Sequence, residues 1–146
     1  MPLGLSLRFQ SDRFDHRSEL PEDCNAGNRF YGKDVAEFVA TGLAARGHAA
    51  AVNDEDWGWL VSGRQPDGNP FEVAIYNLSE HREGGKPGTN EWGLWVGARE
   101  SRKFLGILPR SVAVSVPPAL EAAVRVVFTT EGIELGVWDE GTDDDA

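Results

Sequence analysis

Apolar residues alternate with polar or small residues through most of this sequence, and this period of two restricts the fold more than any other feature. Alternation places the apolar side chains on one face of an extended chain, which is typical of strands with one buried face. Turn formers such as "RQPDGN" separate neighbouring segments. We therefore predict about six strands, in the segments "LGLSLRF", "HAAAV", "WGWLVSG", "PFEVAIYNL", "NEWGLWVGAR" and "IELGVW".

Only two segments have apolar residues at helical spacing. The first carries Val35 and Leu43 on one face and stops at Gly47. The second, "SVPPALEAAVRVVFTTEG", has Ser115 as the predicted N-cap, two prolines in the first turn and Gly132 as its stop. The predicted order is β-α-β-β-β-β-α-β. This order indicates an α+β two-layer sandwich, with both helices on one face of a mainly antiparallel sheet.

The chain has 146 residues, 40% of them hydrophobic, which is the size and composition of one globular domain. We predict a single domain over residues 1–138 and an acidic, flexible tail over residues 139–146. The apolar runs are shorter than the roughly 20 residues that a membrane span needs. The N-terminal "MPLGLSLRFQ" lacks the features of a signal peptide. We therefore expect a cytoplasmic protein that does not contact a membrane.

The chain is strongly acidic, with 24 Asp and Glu against 14 Lys and Arg and a net charge of −10. The basic residues are scattered along the sequence, and the acidic excess opposes the approach of phosphate groups. We therefore expect no nucleic-acid partner. The charge favours a basic protein partner, although it also serves solubility alone.

Residues with catalytic or metal-binding chemistry are few and form no known motif. The single Cys24 excludes an intrachain disulfide and a cysteine-based zinc site. The glycine-rich "REGGKPG" is not followed by an apolar helix, so it lacks the context of a phosphate-binding loop. The densest group of potential ligands, "DRFDHRSE" at 12–19, is equally explained as a solvated loop. We predict no metal, no cofactor and no catalytic residue, and the three histidines share no metal-binding pattern: His16, His48 and His81.

One stretch, "NDEDWGWLVSG", combines acidic and aromatic residues. We predict that Asp54, Glu55 and Asp56 precede a strand, and that Trp57 and Trp59 project from one face of it. In one interpretation this is a loop that enters the hydrophobic core. In the other, an acidic rim borders an aromatic platform suited to a cationic side chain. We interpret the three acidic residues as candidate contacts and the tryptophans mainly as rigid support.

The opposite face of the predicted sheet carries large side chains beside glycines. Glu72, Tyr76 and Trp95 fall on this face together with Gly93 and Gly97. Glycine permits the close approach of a partner backbone or a flat ligand. The alternative is that long loops fold over this face. The predicted partner-binding residues are therefore Asp54, Glu55, Asp56, Glu72, Tyr76 and Trp95.

The stretch "FYGKDVAEFVATGLAARGHAAAVNDEDWGWLVSGR", together with "GIELGVWDE", resembles a widespread group of small uncharacterised bacterial domains that carry "EDWGW". In size, acidity and α/β character the chain is also similar to immunity proteins of bacterial toxin systems, which bind and block a toxin without catalysis. This resemblance implies a non-enzymatic protein that neutralises a basic toxin or another protein. The alternative is a small-ligand-binding or catalytic domain, with a cleft between the long loops and the sheet.

Overall fold

The computed structural model describes residues 3–18, 30–55, 57–78, 89–104 and 108–138, with only the backbone described for 102–104 and 108–109. Several predictions fall outside the described residues: those for Cys24, Asp56, His81, "REGGKPG" and the tail 139–146. The elements are β1 (Leu5–Gln10), α1 (Lys33–Ala44), β2 (Ala49–Glu55), β3 (Gly58–Arg64), β4 (Pro70–Asn77), β5 (Glu91–Phe104), β6 (Leu108–Val114), α2 (Pro118–Thr129) and β7 (Gly136–Val137).

The strands form one sheet in the order β2-β3-β4-β5-β1-β7, and β6 pairs with β5 outside this path. Every pairing between the described strands is antiparallel. The two helices pack against this sheet, so the predicted α+β sandwich is confirmed. The sheet has seven strands where about six were predicted. No helix in the described part of the chain has the length and hydrophobicity required to cross a membrane.

The core lies between the helices and one face of the sheet. The alternation of apolar residues predicts that Trp59, Ile75 and Leu94 lie there, and all three are buried. The indole Nε1 of Trp59 donates a hydrogen bond of 2.8 Å to the carbonyl oxygen of Phe30. Burial of a large ring whose only polar atom is paired contributes strongly to stability.

The helix boundaries follow the glycine signals but not the predicted cap. Gly47, at φ 89°, follows the end of α1, and Gly132, at φ 75°, follows α2. The prediction of Ser115 as N-cap of α2 was wrong, because Pro117 takes this position with extended backbone angles. Pro118 then occupies the first helical position, where a missing backbone N–H costs nothing.

The hairpin between β2 and β3 corrects the predicted start of the strand. Glu55 pairs with Gly58, so Asp54 and Glu55, which were predicted to lie before the strand, are the last residues of β2, and β3 begins at Gly58. The loop therefore has two residues, and Trp57 is one of them. Trp57 is 45% exposed while Trp59 is 9% exposed. The prediction that both rings project from one face of a strand was wrong because Trp57 belongs to the turn.

Strand β5 is longer than predicted and carries a strand that was not predicted. Ala98 pairs with Phe71 of β4 and also with Val114 of β6, so β6 lies on the β1 side of β5. Beyond Ala98, the pairing of β5 is with β6 alone. We call this two-stranded ribbon, residues 98–104 and 108–114, the arm. The predicted last strand "IELGVW" is observed only as the two residues of β7.

Candidate functional site

The sheet face opposite the two helices carries most of the predicted binding residues, and we call it the open face. Directly paired residues of antiparallel strands share a face. The register therefore aligns the open-face positions in three rows across β3, β4, β5 and β1. These rows are Leu60–Ala74–Trp95–Ser6, Ser62–Glu72–Gly97 and Tyr76–Gly93–Arg8.

Glycines on the open face make room for aromatic rings. A Cβ atom added at Gly97 or at Gly4 would collide with the ring of Trp95, and one added at Gly93 would collide with the ring of Tyr76. The rings thus occupy the space that side chains would fill. Trp95 is 37% exposed. The result is a partly exposed aromatic surface lying on the sheet backbone.

Trp138 extends this aromatic surface and was not predicted to belong to it. Its ring centroid lies 5.7 Å from that of Tyr76 with an interplanar angle of 44°. Its backbone N–H donates to the carbonyl oxygen of Ser6 at 2.9 Å, which holds it beside β1. The alternation in "IELGVW" could have predicted this position. It places the side chains of Val137 and Trp138 on opposite faces, and Leu7, the register partner of Val137, lies in the core.

Glu72 supplies a carboxylate next to the aromatic surface. It pairs in the register with Gly97, over which the Trp95 ring lies. The Glu72 side chain is half-buried, and no hydrogen bond or ion pair engages it within the described part of the chain. Arg8 on the same face is already paired, because its Nη2 lies 3.3 Å from Oε1 of Glu91. The open face therefore combines a carboxylate that has no partner among the described residues with an adjacent π surface.

The acidic residues of the opening stretch do not gather on one face. Asp54 pairs with Trp59, on the helix side of the sheet, whereas Glu55 pairs with Gly58, on the open face. Successive strand residues point to opposite sides, so the two carboxylates diverge. Asp56 lies outside the described residues. The structure thus groups Glu55, at the hairpin end, with the other predicted residues of the open face, and separates Asp54 from them.

The acidic loop around His16 has a structural role. Asp15 accepts hydrogen bonds from the Ser18 hydroxyl and from the backbone N–H groups of Arg17 and Ser18. These bonds, the Ser18 hydroxyl first, lower the pKa of Asp15 below its usual value. His16 is buried, and its Nδ1 lies 3.1 Å from the carbonyl oxygen of Phe14. Among the described residues, no three His, Cys, Asp or Glu side chains are placed to hold a metal ion.

Two surface grooves lie outside the aromatic part of the open face, and the second reaches the edge of this face at Arg8. One, of 540 Å³, runs between α1 and α2, and the other, of 720 Å³, lies beside β1 and residues 131–136. Arg13 lines both grooves and forms a 2.9 Å ion pair with Glu131. Arg46, in the first, donates to the carbonyl oxygen of Gly42 at 2.9 Å. The basic groups of the grooves are thus engaged within the chain itself, whereas the Glu72 carboxylate of the open face has no partner among the described residues.

Comparison with known proteins gives no match: no family model fits the sequence, and neither a curated protein nor a solved structure is significantly similar to the chain. The function is therefore argued from the geometry of the open face.

Proposed function

We propose that this chain is a non-enzymatic binding protein that recognises cationic side chains of a basic protein partner on its open face. The observation that carries the proposal is the Glu72 carboxylate, without a described partner, beside the ring of Trp95. A guanidinium group can form an ion pair with such a carboxylate while it stacks on the neighbouring ring. Tyr76 and Trp138 provide a second aromatic pair for the adjoining part of the partner.

The charge of the whole chain supports a basic partner. A net charge of −10 attracts cationic surfaces over distances larger than a contact and accelerates their association. The same charge repels nucleic-acid phosphates. An open sheet face also suits protein recognition, because its breadth matches a partner surface better than it encloses a small molecule.

The narrower proposal is that the partner is a basic bacterial toxin, which the chain neutralises in the cytoplasm as an immunity protein does. It rests on the general resemblance in size, acidity and α/β character. Neutralisation of this kind needs only a surface that covers the partner's working site, and it requires no catalytic group in the inhibitor.

The test is the binding of a short synthetic peptide in which arginine alternates with serine, measured by isothermal titration calorimetry at physiological ionic strength. Glu72→Gln should weaken this binding by about 1 kcal/mol, roughly fivefold, because it removes the charge but keeps the shape of the side chain. A matched control is Glu37→Gln, which removes the same charge from an exposed position on α1. The control should change the affinity by less than about twofold, since exposed charges act weakly at a distance.

Equal losses for Glu72→Gln and Glu37→Gln would contradict the proposal, because the peptide would then respond only to net charge. Thermal melting of both variants should match that of the original chain, since neither carboxylate has a described partner whose loss would destabilise the fold.

A further inference from the structure

Strand β2 lies at one end of the sheet, and no described strand pairs with its outer edge. The hydrogen bonds of β3 show which backbone groups of β2 point outward. The Gln65 N–H donates to the Asn69 carbonyl oxygen, so the odd-numbered residues of β3 bond to β4 and the even-numbered ones bond to β2. Their partners in β2 are its odd-numbered residues. The backbone groups of Ala50 and Val52 therefore point away from the sheet.

These outward groups are available for pairing. Within the described part of the chain, no hydrogen bond engages the outward N–H and C=O groups of Ala50 and Val52. Proteins usually protect such an edge with lysine, proline, a bulge or a covering segment. The stretch Ala49–Val52 contains neither lysine nor proline, and it pairs with β3 without a bulge. Ala49 and Ala51 are also exposed. The edge of β2 is thus suited to the addition of a strand.

Charge favours this end of the sheet for a cationic strand. The arm, at the other end, contains four of the chain's 14 Lys and Arg and one of its 24 Asp and Glu, so it carries +3 and the remaining residues carry −13. Strand β2 contains two acidic residues and no basic residue. A basic extended segment is therefore complementary in charge to the part of the molecule that includes β2.

A row of small side chains leads from this edge to Glu72. Ala51 pairs with Ser62, and Ser62 pairs with Glu72, so the three share the open face. An added strand lies three strand spacings from β4, roughly 14 Å at about 4.8 Å each. Because Ala51 and Ser62 are small, an arginine on the added strand can extend over them toward the Glu72 carboxylate.

We infer that an extended cationic segment of the partner adds to the edge of β2 as an antiparallel strand. This inference rests on the proposed function, from which it takes the basic protein partner, and it adds backbone pairing to the recognition of cationic side chains. Main-chain hydrogen bonds supply affinity in this mode, and alternate side chains supply specificity. Antiparallel addition continues the pattern of the described sheet, in which every pairing is antiparallel.

A second copy of the chain is a poorer occupant of this edge. Each copy carries a net charge of −10, so two copies repel one another. A second β2 strand also brings no basic side chain to the open face. A basic segment provides such side chains and reduces the net charge of the complex.

Backbone N-methylation of the arginine–serine peptide tests the inference in the original chain. In antiparallel pairing, the peptide residues that bond to Ala50 and Val52 place their side chains on the core side of the sheet. With the arginines over the open face, these residues are the serines. Methylation of the serine nitrogens should weaken binding at least about fivefold, because it removes these bonds and places methyl groups against β2. Calorimetry measures the loss.

The matched control is the same peptide methylated on its arginine nitrogens. The N–H groups of the arginines point away from β2 in this pairing, so the affinity should change by less than about twofold. Equal effects of the two methylation patterns would overturn the inference. A larger loss from methylated arginines would overturn it as well, because antiparallel pairing requires the reverse order.

The edge itself is tested with Ala50→Pro, which removes one outward N–H but none of the hydrogen bonds between β2 and β3. It should weaken binding of the unmethylated peptide at least about fivefold. Ala50→Ser keeps the N–H and should bind as the original chain does. Melting curves show whether both variants fold, and the methylated peptides remain decisive if Ala50→Pro does not. A dimer of the original chain that Ala50→Pro abolishes in sedimentation velocity would overturn the inference, because the edge would then bind a second copy.

The variant Glu72→Gln separates this inference from the proposed function. If it weakens binding of the unmethylated peptide while the two methylated peptides bind equally well, only the inference falls. If the affinity does not depend on Glu72, the proposed function falls, and the inference falls with it.

Discussion

Trp59 stabilises the fold through both its ring and its indole N–H. The ring is buried beside Ile75 in the register of β3 and β4, and the N–H reaches the carbonyl oxygen of Phe30 at 2.8 Å. Trp57, two residues earlier, is 45% exposed in the hairpin loop. At the scale of residues, the two tryptophans of "WGW" therefore contribute differently to stability, because Trp59 lies in a strand and Trp57 lies in the hairpin loop.

Replacement of these tryptophans should give unequal results. Trp59→Ala should lower the free energy of unfolding by about 3 to 5 kcal/mol, because it removes a buried ring and leaves a cavity. Trp57→Ala should change it by less than about 0.5 kcal/mol, as is usual for exposed positions. Urea denaturation followed by circular dichroism measures both values. Equal losses in the two variants would contradict the assignment of Trp57 to the loop.

At the scale of elements, the spacing of apolar residues and the start and stop signals of the helices were sufficient to predict the main sheet, both helices and their order. The arm was missed because it forms by pairing with one edge of β5 outside the main sheet, which needs no alternating apolar pattern. Its sequence, "ARESRKFLGILPRSVAV", mixes charges with an apolar centre and includes Pro109, which is unusual in a strand. Pairing at one edge of β5, and not burial, defines β6.

The same reasoning explains which site residues were predictable. Glu72, Tyr76 and Trp95 were placed on the open face because alternation fixes the face of each strand residue. Asp54 and Glu55 were misplaced because the two-residue loop begins later than the run of acidic residues suggests. A turn position depends on the pairing of two strands, which one segment alone does not reveal.

Strand β2 is held against β3 by a close approach at Gly63. A Cβ atom at this position would collide with the backbone carbonyl of Ala49. Gly63→Ala should therefore displace β2 and destabilise the fold by about 1 to 3 kcal/mol, as overpacking does. Gly136→Ala is the control, because a Cβ there meets only ordinary contacts. Thermal melting measures the loss, and equal melting temperatures for the two variants would contradict this account of β2.

At the scale of the whole molecule, the two faces of the sheet have different roles. The helices cover one face of the sheet and form the core with it, while the other face holds partly exposed aromatic rings over glycines. Charge is divided as well, with +3 on the arm and −13 elsewhere. These two asymmetries support the proposal that cationic partners bind the open face.

The proposed function requires that a cationic partner binds the open face and not the helical layer. An NMR titration of the ¹⁵N-labelled chain with the arginine–serine peptide measures which surface binds. The largest amide and indole shift changes should cluster at Glu72, Ala74, Tyr76 and Trp95 and saturate together. Changes centred on α1 and α2, or spread evenly over all acidic residues, would contradict the proposed function.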